Sequence, residues 1–256
     1  MAKITEALGI VVAAGLIVAG VSMGQGQPAE QGEKRFEMDT IATKTGELKI
    51  TFIGHGTLMF DDGGKVVHVD PWTRLADYAK LPKADLVLIT HEHQDHLDLK
   101  AVNAVRGENT KVVLTKACAD KVAGGIVMKN GDVQTVQGLK IEAVPAYNIV
   151  QKRPDGQPFH PKGVGNGYIV TFGETRVYVA GDTENTPEMK KLEEITIAFL
   201  PMNLPYTMTP AMVADAAKAF KPKILYPYHY GETDPNELVN LLKDSKDIEV
   251  RVRKMK

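Results

Sequence analysis

Residues 91–96 read His-Glu-His-Gln-Asp-His and directly follow the apolar run at 85–90. They contain three of the seven histidines of the chain. Side chains two apart in an extended strand share a face, so the first two imidazoles can point at one place, and Asp95 and His96 can return to it from the start of the next helix. Imidazole with carboxylate suits zinc, iron or manganese, and the missing thiolates argue against a closed structural zinc site. The spacing predicts two ligand pairs for two metal ions; a surface histidine cluster is the alternative.

Strands and helices must position this segment. Apolar patterns and glycine-rich turns predict strands at 48–53, 57–60, 65–69, 85–90, 111–114, 133–136, 139–144, 167–172, 176–180, 197–200, 223–226 and 248–252. Helices are predicted at 97–105, 210–220 and 235–242, with Thr209 as an N-cap. Some strands are apolar on both faces and others alternate, which predicts an α/β fold with two mixed β-sheets and helices outside them.

The segment at 90–96 resembles the His-x-His-x-Asp-His motif of the metallo-β-lactamase superfamily. Further blocks are similar to its branch that includes ascorbate-6-phosphate lactonase and N-acyl phosphatidylethanolamine phospholipase D: Ile-Gly-His-Gly-Thr at 53–57, Val-Asp-Pro-Trp at 69–72, Ala-Gly-Asp-Thr at 180–183 and Tyr-Pro-Tyr-His-Tyr-Gly at 226–231. The resemblance covers the chain from about residue 47 onward. It implies a four-layer αββα sandwich that uses one or two metal ions for hydrolysis.

The resemblance also implies the ligands of each ion: His91 and His93 for the first, Asp95, His96 and His229 for the second, and Asp182 as a bridge. Asp182 and His229 each follow a predicted strand, and strand ends at one edge of a sandwich can converge. Considered alone, Asp182 could instead cap a helix near Pro187, and His229 could be a core histidine.

The chain departs from the family pattern where relatives place a third histidine for the first ion. In the matching block, Val-Pro-Ala-Tyr-Asn at 144–148, Asn148 occupies that position. Its amide oxygen is a possible ligand, but a weaker one than imidazole for zinc. His160 lies in a loop rich in proline and glycine that can fold back over the metal edge. We expect His160 to supply the missing nitrogen; a substrate-facing acid or base and an exposed histidine are the alternatives.

Four further residues are expected around the metal ligands. Metal-bound imidazoles usually donate their other N–H to a carboxylate or carbonyl, and Asp70, at a strand end, is the candidate; a turn aspartate before proline is the alternative. The resemblance places His55 near the metal edge without making it a ligand. Tyr206 and Lys162 flank the site in sequence, as a pocket wall and as a cation for an anionic substrate. The loop at Tyr206 could equally be a lead-in to the helix from Pro210.

The N-terminal segment differs from the remainder of the chain. Lys3 precedes an apolar stretch at 7–23, and Gly-Gln-Gly-Gln-Pro follows at 24–28. This pattern predicts an export signal over 1–26, or a retained membrane anchor, and therefore an exported, periplasmic or membrane-anchored protein. Residues 27–46 are predicted to be a linker, and 47–256 the metallo-β-lactamase-like domain.

Charge and motif together narrow the function. The chain has 31 basic and 32 acidic residues, a net charge of -1, which gives no indication of nucleic-acid binding. Two divalent ions lower the pKa of a shared water, so we expect a hydroxide nucleophile, oriented by Asp95, to attack a small-molecule ester, lactone or phosphodiester. The expected cofactor is one or two divalent ions, zinc first and manganese or iron as alternatives. A mononuclear iron oxygenase and a metal-binding protein without turnover are the other functions considered.

Overall fold

The computed structural model describes residues 1–2 and 36–256, and Phe36–Lys256 is one structural unit. Its first sheet contains seven strands in chain order: β1 (Glu37–Thr43), β2 (Gly46–Gly54), β3 (Thr57–Asp62), β4 (Lys65–Val69), β5 (Ala84–Leu88), β6 (Arg106–Leu114) and β7 (Ile126–Val127). Strands β1 to β4 pair antiparallel, and β5, β6 and β7 add to β4 in parallel.

The second sheet has the same design: β8 (Val133–Val136), β9 (Leu139–Ala146), β10 (Gly165–Phe172), β11 (Thr175–Val179), β12 (Ile197–Pro201), β13 (Ile224–Tyr228) and β14 (Glu249–Val250). Strands β8 to β11 are antiparallel, and β12 to β14 continue in parallel from β11. In both sheets, therefore, the parallel half begins at the fourth strand.

Within residues 36–256, three α-helices cover the sheets: α1 (Leu99–Val105), α2 (Pro210–Phe220) and α3 (Pro235–Leu242). The Thr209 hydroxyl accepts a hydrogen bond from Met212 N at 3.1 Å, which confirms the predicted N-cap of α2. Helix α1 packs with the outer residues of β5 and β6 in one apolar cluster, whereas α2 and α3 join the large core that contains both sheets. The layers are thus helix, sheet, sheet and helix, as the resemblance implied.

Large side chains from both sheets fill the space between them. Phe52 of β2 lies 5.0 Å from Tyr226 of β13 between ring centroids, and Phe60 of β3 lies 5.6 Å from Phe172 of β10. Burial of such aromatic surface supplies much of the driving force that holds the sheets face to face.

The prediction of a linker at 27–46 is wrong for residues 37–46. Residues 37–43 form β1, which pairs with β2 from Glu37↔Phe52 to Thr43↔Gly46. The Asp39 carboxylate also accepts a hydrogen bond from Arg253 Nη2 at 2.8 Å, near the other end of the chain. Alternate residues of β1 are exposed, so the strand has no apolar run in its sequence.

The predicted export signal or anchor at 1–26 lies, apart from residues 1–2, outside the described residues, as does the linker up to residue 35. Across residues 1–2 and 36–256, none of the helices combines the length and apolar character needed to span a bilayer.

Candidate metal centre

The residues predicted to hold metal lie where strands of both sheets end. Asp70 follows β4, the segment 91–96 follows β5, Asp182 follows β11 and His229 follows β13. These strands belong to the parallel halves of their sheets. Because parallel strands have their carboxyl ends at one edge, residues distant in sequence meet there.

A tight turn brings the end of the motif back to its beginning. The N–H groups of His96 and Leu97 donate to the His93 carbonyl at 3.0 and 2.7 Å. Helix α1 begins only at Leu99, and its N-cap is Asp98, whose carboxylate accepts from Lys100 N at 2.9 Å. The expectation that Asp95 and His96 stand at the start of this helix is therefore wrong; the turn, not the helix dipole, positions them.

The first group of converging ligands consists of His91, His93 and His160. His91 Nε2 lies 3.0 Å from His93 Nδ1. His160 Nε2 lies 3.3 Å, and His91 Nε2 4.0 Å, from Oδ2 of Asp182. The loop containing His160 does fold back over the edge, and the structure brings this histidine to the place where a third nitrogen was expected.

The second group surrounds Asp95. His229 Nε2 is 3.5 Å and His96 Nε2 is 3.6 Å from Asp95 Oδ2. His55 Nε2 approaches the same oxygen at 3.1 Å, and its ring centroid lies 3.7 Å from that of His229. His55 was not predicted as a ligand, but with Asp95 and His229 it forms a set that could hold an ion.

Asp182 stands between the two groups with one carboxylate oxygen toward each. Oδ2 faces His160, whereas Oδ1 lies 3.5 Å from Nε2 of both His96 and His229. Within residues 36–256, Asp182 Oδ1 and these two Nε2 atoms are buried without any hydrogen-bond partner. Burying three unpaired polar atoms is costly, and a cation between them would remove that cost. The residues present therefore fit a bound metal ion.

A network around Asp70 fixes the tautomers of two histidines. Asp70 Oδ2 lies 2.7 Å from His96 Nδ1 and accepts the Thr90 hydroxyl at 2.6 Å. The Thr90 oxygen in turn lies 3.0 Å from His91 Nδ1. With its proton given to Asp70, Thr90 accepts from His91, so both imidazoles carry their proton on Nδ1 and present Nε2 to the site. Asp70 has the orienting position predicted for it; Thr90 was not identified from the sequence.

Asn148 supports His160 and lies behind it. Asn148 Nδ2 donates to Glu184 Oε1 at 3.1 Å and to the Tyr206 carbonyl at 2.9 Å, which fixes the orientation of the amide. Its Oδ1 accepts from both the backbone N and Nδ1 of His160, each at 2.8 Å. The oxygen that would coordinate an ion is thus engaged by two donors.

Glu184 anchors the loop that contains Asn148. Its carboxylate, wholly buried, accepts the backbone N–H groups of Ile149, Val150 and Gln151 at 2.9, 2.8 and 2.6 Å. Charge-assisted bonds of this kind are strong. Glu184 was missed from the sequence because its role depends on loop backbone more than thirty positions earlier.

The imidazoles are held in the state that binds metal. Burial keeps the pKa of His91 well below its usual value and also lowers the pKa of His93 and His55. His96 differs: burial lowers its pKa, but Asp182 and then Asp70 outweigh this and raise it to about 10. Carboxylates that retain a proton on a buried imidazole also attract a cation, whose binding releases that proton.

Both carboxylates of the centre stay ionised. Burial alone would raise the pKa of Asp182, but the charges of His229 and His96 hold it well below the usual value. Burial also opposes ionisation of Asp95, but the close imidazoles of His229, His55 and His96 together hold the pKa of Asp95 well below its usual value. Negative oxygens therefore face the centre at neutral pH.

Close backbone packing is required beside the second group. A Cβ on Gly56 would lie 2.9 Å from His96 Cε1 and 3.3 Å from His229 Cδ2, so only glycine leaves room for both rings. His55, Asp70 and His229 adopt φ values of 52°, 45° and 44°. Such conformations in non-glycine residues are costly and concentrate at functional sites.

The two ligand groups open into a cavity of about 510 Å³. Tyr206 lines its wall, as expected, and is 45% exposed, while its carbonyl binds Asn148. Trp72, Arg74 and Arg153 also line the cavity. Lys162, the cation suggested by the sequence, instead bonds Glu188 at 2.9 Å and is not among the lining residues.

A two-sheet αββα sandwich with a histidine and aspartate centre at one sheet edge defines a class of metal-binding proteins. Comparison with known families agrees with this class, since residues 49–229 match the family described as the β-lactamase superfamily domain. The chain therefore belongs to the β-lactamase superfamily.

Individual relatives lie within the same family. A UPF0173 metal-dependent hydrolase of Pelotomaculum thermopropionicum is 30% identical over 222 residues, 80% of this chain and 96% of that protein. One from Methanopyrus kandleri is 32% identical over 208 residues, 74% and 89% of the two chains. A solved structure named as a metal-dependent hydrolase from Parabacteroides distasonis has 52% identity and a TM-score of 0.83, covering 87% of this chain and all of that one.

Proposed function

We propose that this metal-dependent hydrolase holds two divalent ions, with zinc as the first candidate, and cleaves an ester, lactone or phosphodiester bond of a small molecule. The observation that carries the proposal is Asp182, one oxygen of which faces each group of imidazoles. His91, His93 and His160 would hold the first ion, and Asp95, His96 and His229 the second, with His55 beside Asp95. The nitrogen-rich first group favours zinc.

Divalent ions in this centre would lower the pKa of a water to near neutrality and polarise the attacked carbonyl or phosphoryl oxygen. The protein's own part is positioning. Asp95, ionised and about one-third exposed at the cavity, accepts a hydrogen bond from the attacking water and aligns it with the substrate. His55 donates to Asp95 and keeps that carboxylate turned toward the centre.

The cavity supports a small-molecule substrate. Its volume of about 510 Å³ lies in the range of sites that bind drug-sized ligands. A place in the branch that includes ascorbate-6-phosphate lactonase belongs to this proposal as well, supported by the blocks at 53–57, 69–72, 180–183 and 226–231.

Metal analysis combined with turnover tests the proposal. Protein stripped by chelation and reloaded with zinc, manganese or iron is assayed for bound metal per chain and for hydrolysis of an aryl ester, an aryl lactone and an aryl phosphodiester. Two ions per chain, and activity that disappears on chelation and returns on reloading, are expected. Turnover that is unaffected by chelation refutes the mechanism. One iron per chain together with oxygen uptake refutes it in favour of a mononuclear iron oxygenase.

Export is a separate proposal. The apolar stretch at 7–23 and the polar segment after it support an N-terminal export signal. Residues 1–30 fused to a reporter that is active only outside the cytoplasm should give signal, whereas replacement of two apolar residues in 7–23 by arginine should abolish it. A cytoplasmic reporter with the intact segment would contradict export, and a membrane-retained one would favour the anchor.

A further inference from the structure

Two arginines line the wall of the metal cavity, and no carboxylate in the described part of the chain pairs with them. Arg74 and Arg153 both contribute to the cavity that contains Asp95, Asp182 and His229. Within residues 36–256, neither guanidinium forms an ion pair, although other arginines, such as Arg253 with Asp39 at 2.8 Å, do. An arginine without a carboxylate at the mouth of a charged cavity is available to bind an anion.

Each guanidinium lies over an aromatic ring that also lines the cavity. Arg74 Cζ is 5.1 Å from the centroid of the Trp72 ring, and that ring is 5.3 Å from His55. Beside the first group of ligands, Arg153 Cζ is 5.4 Å from the ring centroid of Phe159. Phe159 directly precedes His160. Stacking on a ring restrains a guanidinium while its N–H groups stay on the rim, where an anion can accept from them. One of those of Arg153, on Nη2, donates to the Phe159 carbonyl at 3.3 Å, which restrains this side chain further and leaves its other N–H groups for a ligand.

The backbone beneath both arginines is fixed by hydrogen bonds. Thr73 N donates to Asp98 Oδ2 at 2.8 Å, and Trp72 N to the Tyr78 hydroxyl at 2.9 Å, so the segment with Arg74 is tied to the N-cap of α1. Arg153 N donates to the Gln157 carbonyl at 2.7 Å and closes a hairpin. A fixed backbone reduces the entropy lost when a side chain binds a ligand.

We propose that Arg74 and Arg153 bind a carboxylate or phosphate group of the substrate, at a distance from the bond that is cleaved. The cavity of about 510 Å³ is much larger than a single ester or phosphoryl group, so it has room for a substrate that reaches the metal centre and also extends along the wall where the arginines lie. The proposal rests on the proposed function for the metal centre and adds the substrate class: a small organic anion.

Two esters with the same leaving group provide the kinetic test: mono-4-nitrophenyl glutarate, with a terminal carboxylate, and neutral 4-nitrophenyl butyrate. In zinc-loaded protein we expect Arg74→Ala and Arg153→Ala each to raise KM for the glutarate ester about tenfold, the loss of one charge-assisted hydrogen bond at a half-open site. KM for the butyrate ester should not change. Arg153→Lys should give an intermediate loss because lysine lacks the planar fork.

Lys152→Ala is the matched control, since Lys152 is an exposed neighbour of Arg153 in the same loop and does not line the cavity. It removes the same charge and should leave both KM values unchanged. Equal effects of Lys152→Ala and Arg153→Ala would reduce the role of Arg153 to general electrostatics and overturn the proposal. A double variant, Arg74→Ala/Arg153→Ala, that keeps the preference for the glutarate ester would also overturn it.

Binding measured without turnover separates this proposal from that for the metal centre. Trp72 is the only tryptophan of the chain and lies under Arg74, so its fluorescence reports ligands at this wall. Zinc-loaded protein is titrated with glutarate and with inorganic phosphate, which distinguishes the two anion types. An affinity for the anion, measured by quenching, that is about tenfold weaker in either arginine variant supports the anion site even if no ester is hydrolysed. Identical affinities in wild type and variants refute it even if hydrolysis proceeds.

Discussion

Asn148 Oδ1 accepts a hydrogen bond of 2.8 Å from His160 Nδ1 and thereby decides which nitrogen His160 presents to Asp182. Asn148, which occupies the position of the third histidine in relatives, therefore still contributes to the centre. It orients a histidine from a later loop, and Glu184 and the Tyr206 carbonyl orient it in turn. A change at either position should therefore alter metal binding, by different amounts.

Replacement of His160 by alanine should remove one ion. The first group would lose one of its three imidazoles and keep only His91, His93 and one Asp182 oxygen, so it would bind zinc more weakly and release it to a chelator. Metal analysis after equilibration against a weak chelator should fall from two ions to one per chain. Retention of two ions would show that another group supplies the third ligand.

Replacement of Asn148 by leucine, similar in volume but unable to bond His160 Nδ1, should weaken binding of the first ion by about 10- to 100-fold, the usual effect of losing an orienting partner. Competition with a chromogenic chelator measures the affinity. Asn103→Leu, at an exposed position of α1, is the control and should bind as wild type does. An affinity unchanged in Asn148→Leu would mean that the loop alone positions His160.

Replacement of Asp70 by asparagine should weaken the binding of the second ion. The amide cannot match the carboxylate as an acceptor for both Thr90 and His96 Nδ1, so His96 loses its fixed tautomer. We expect about a 10- to 100-fold loss of affinity for the second ion, measured in the same chelator assay. An equal loss of affinity at both ions would contradict a selective effect on His96 and would mean that the substitution also acts on His91 through Thr90.

Replacement of Gly56 by alanine should damage the second group, because the added methyl would lie 2.9 Å from His96 and 3.3 Å from His229. Bound metal should fall to one ion per chain, with reduced hydrolysis and an unchanged far-ultraviolet circular dichroism spectrum. Gly107→Ala, where the nearest atom lies at 3.7 Å, is the control. Two ions in Gly56→Ala would show that the rings can move aside.

Buried His68 should make the fold sensitive to mild acid. Burial lowers its pKa to about 4, below the 6.5 of an exposed histidine, so the unfolded chain binds more protons below pH 6.5. The resulting stability is complete above that pH and is lost as the pH falls toward 4. Between pH 7.5 and 5 the free energy of unfolding should fall by about 2 kcal/mol more in wild type than in His68→Gln.

Urea unfolding at both pH values measures that difference. Glutamine retains a donor for the Pro82 carbonyl, which His68 Nε2 contacts at 3.1 Å, and cannot titrate. Comparison of the two proteins cancels the contributions of the metal centre. Equal pH dependence in both would show that His68 is not neutral in the folded protein.

Local patterns in the sequence were sufficient for the elements with strong signals. Strands β4 and β8 and helix α3 have the predicted bounds, because their apolar spacing and flanking turns are contained in a few consecutive residues. Strand β1 was missed for the opposite reason: it is half exposed, and only pairing with β2 and contact of Asp39 with Arg253 make it part of the sheet. The two-residue β7 has no periodicity to detect.

The sequence by itself determined which ligand types the centre offers, since the spacing of His91, His93, Asp95 and His96 after an apolar strand predicts converging nitrogen and oxygen ligands. Tertiary structure alone decided which remote groups complete it. His160, Asn148 and Glu184 meet through loop backbone, and Arg74 and Arg153 share a cavity although 79 positions separate them. The physical reason is that ligand type is a property of single side chains, whereas orientation and charge balance depend on atoms that only folding brings within a few ångströms.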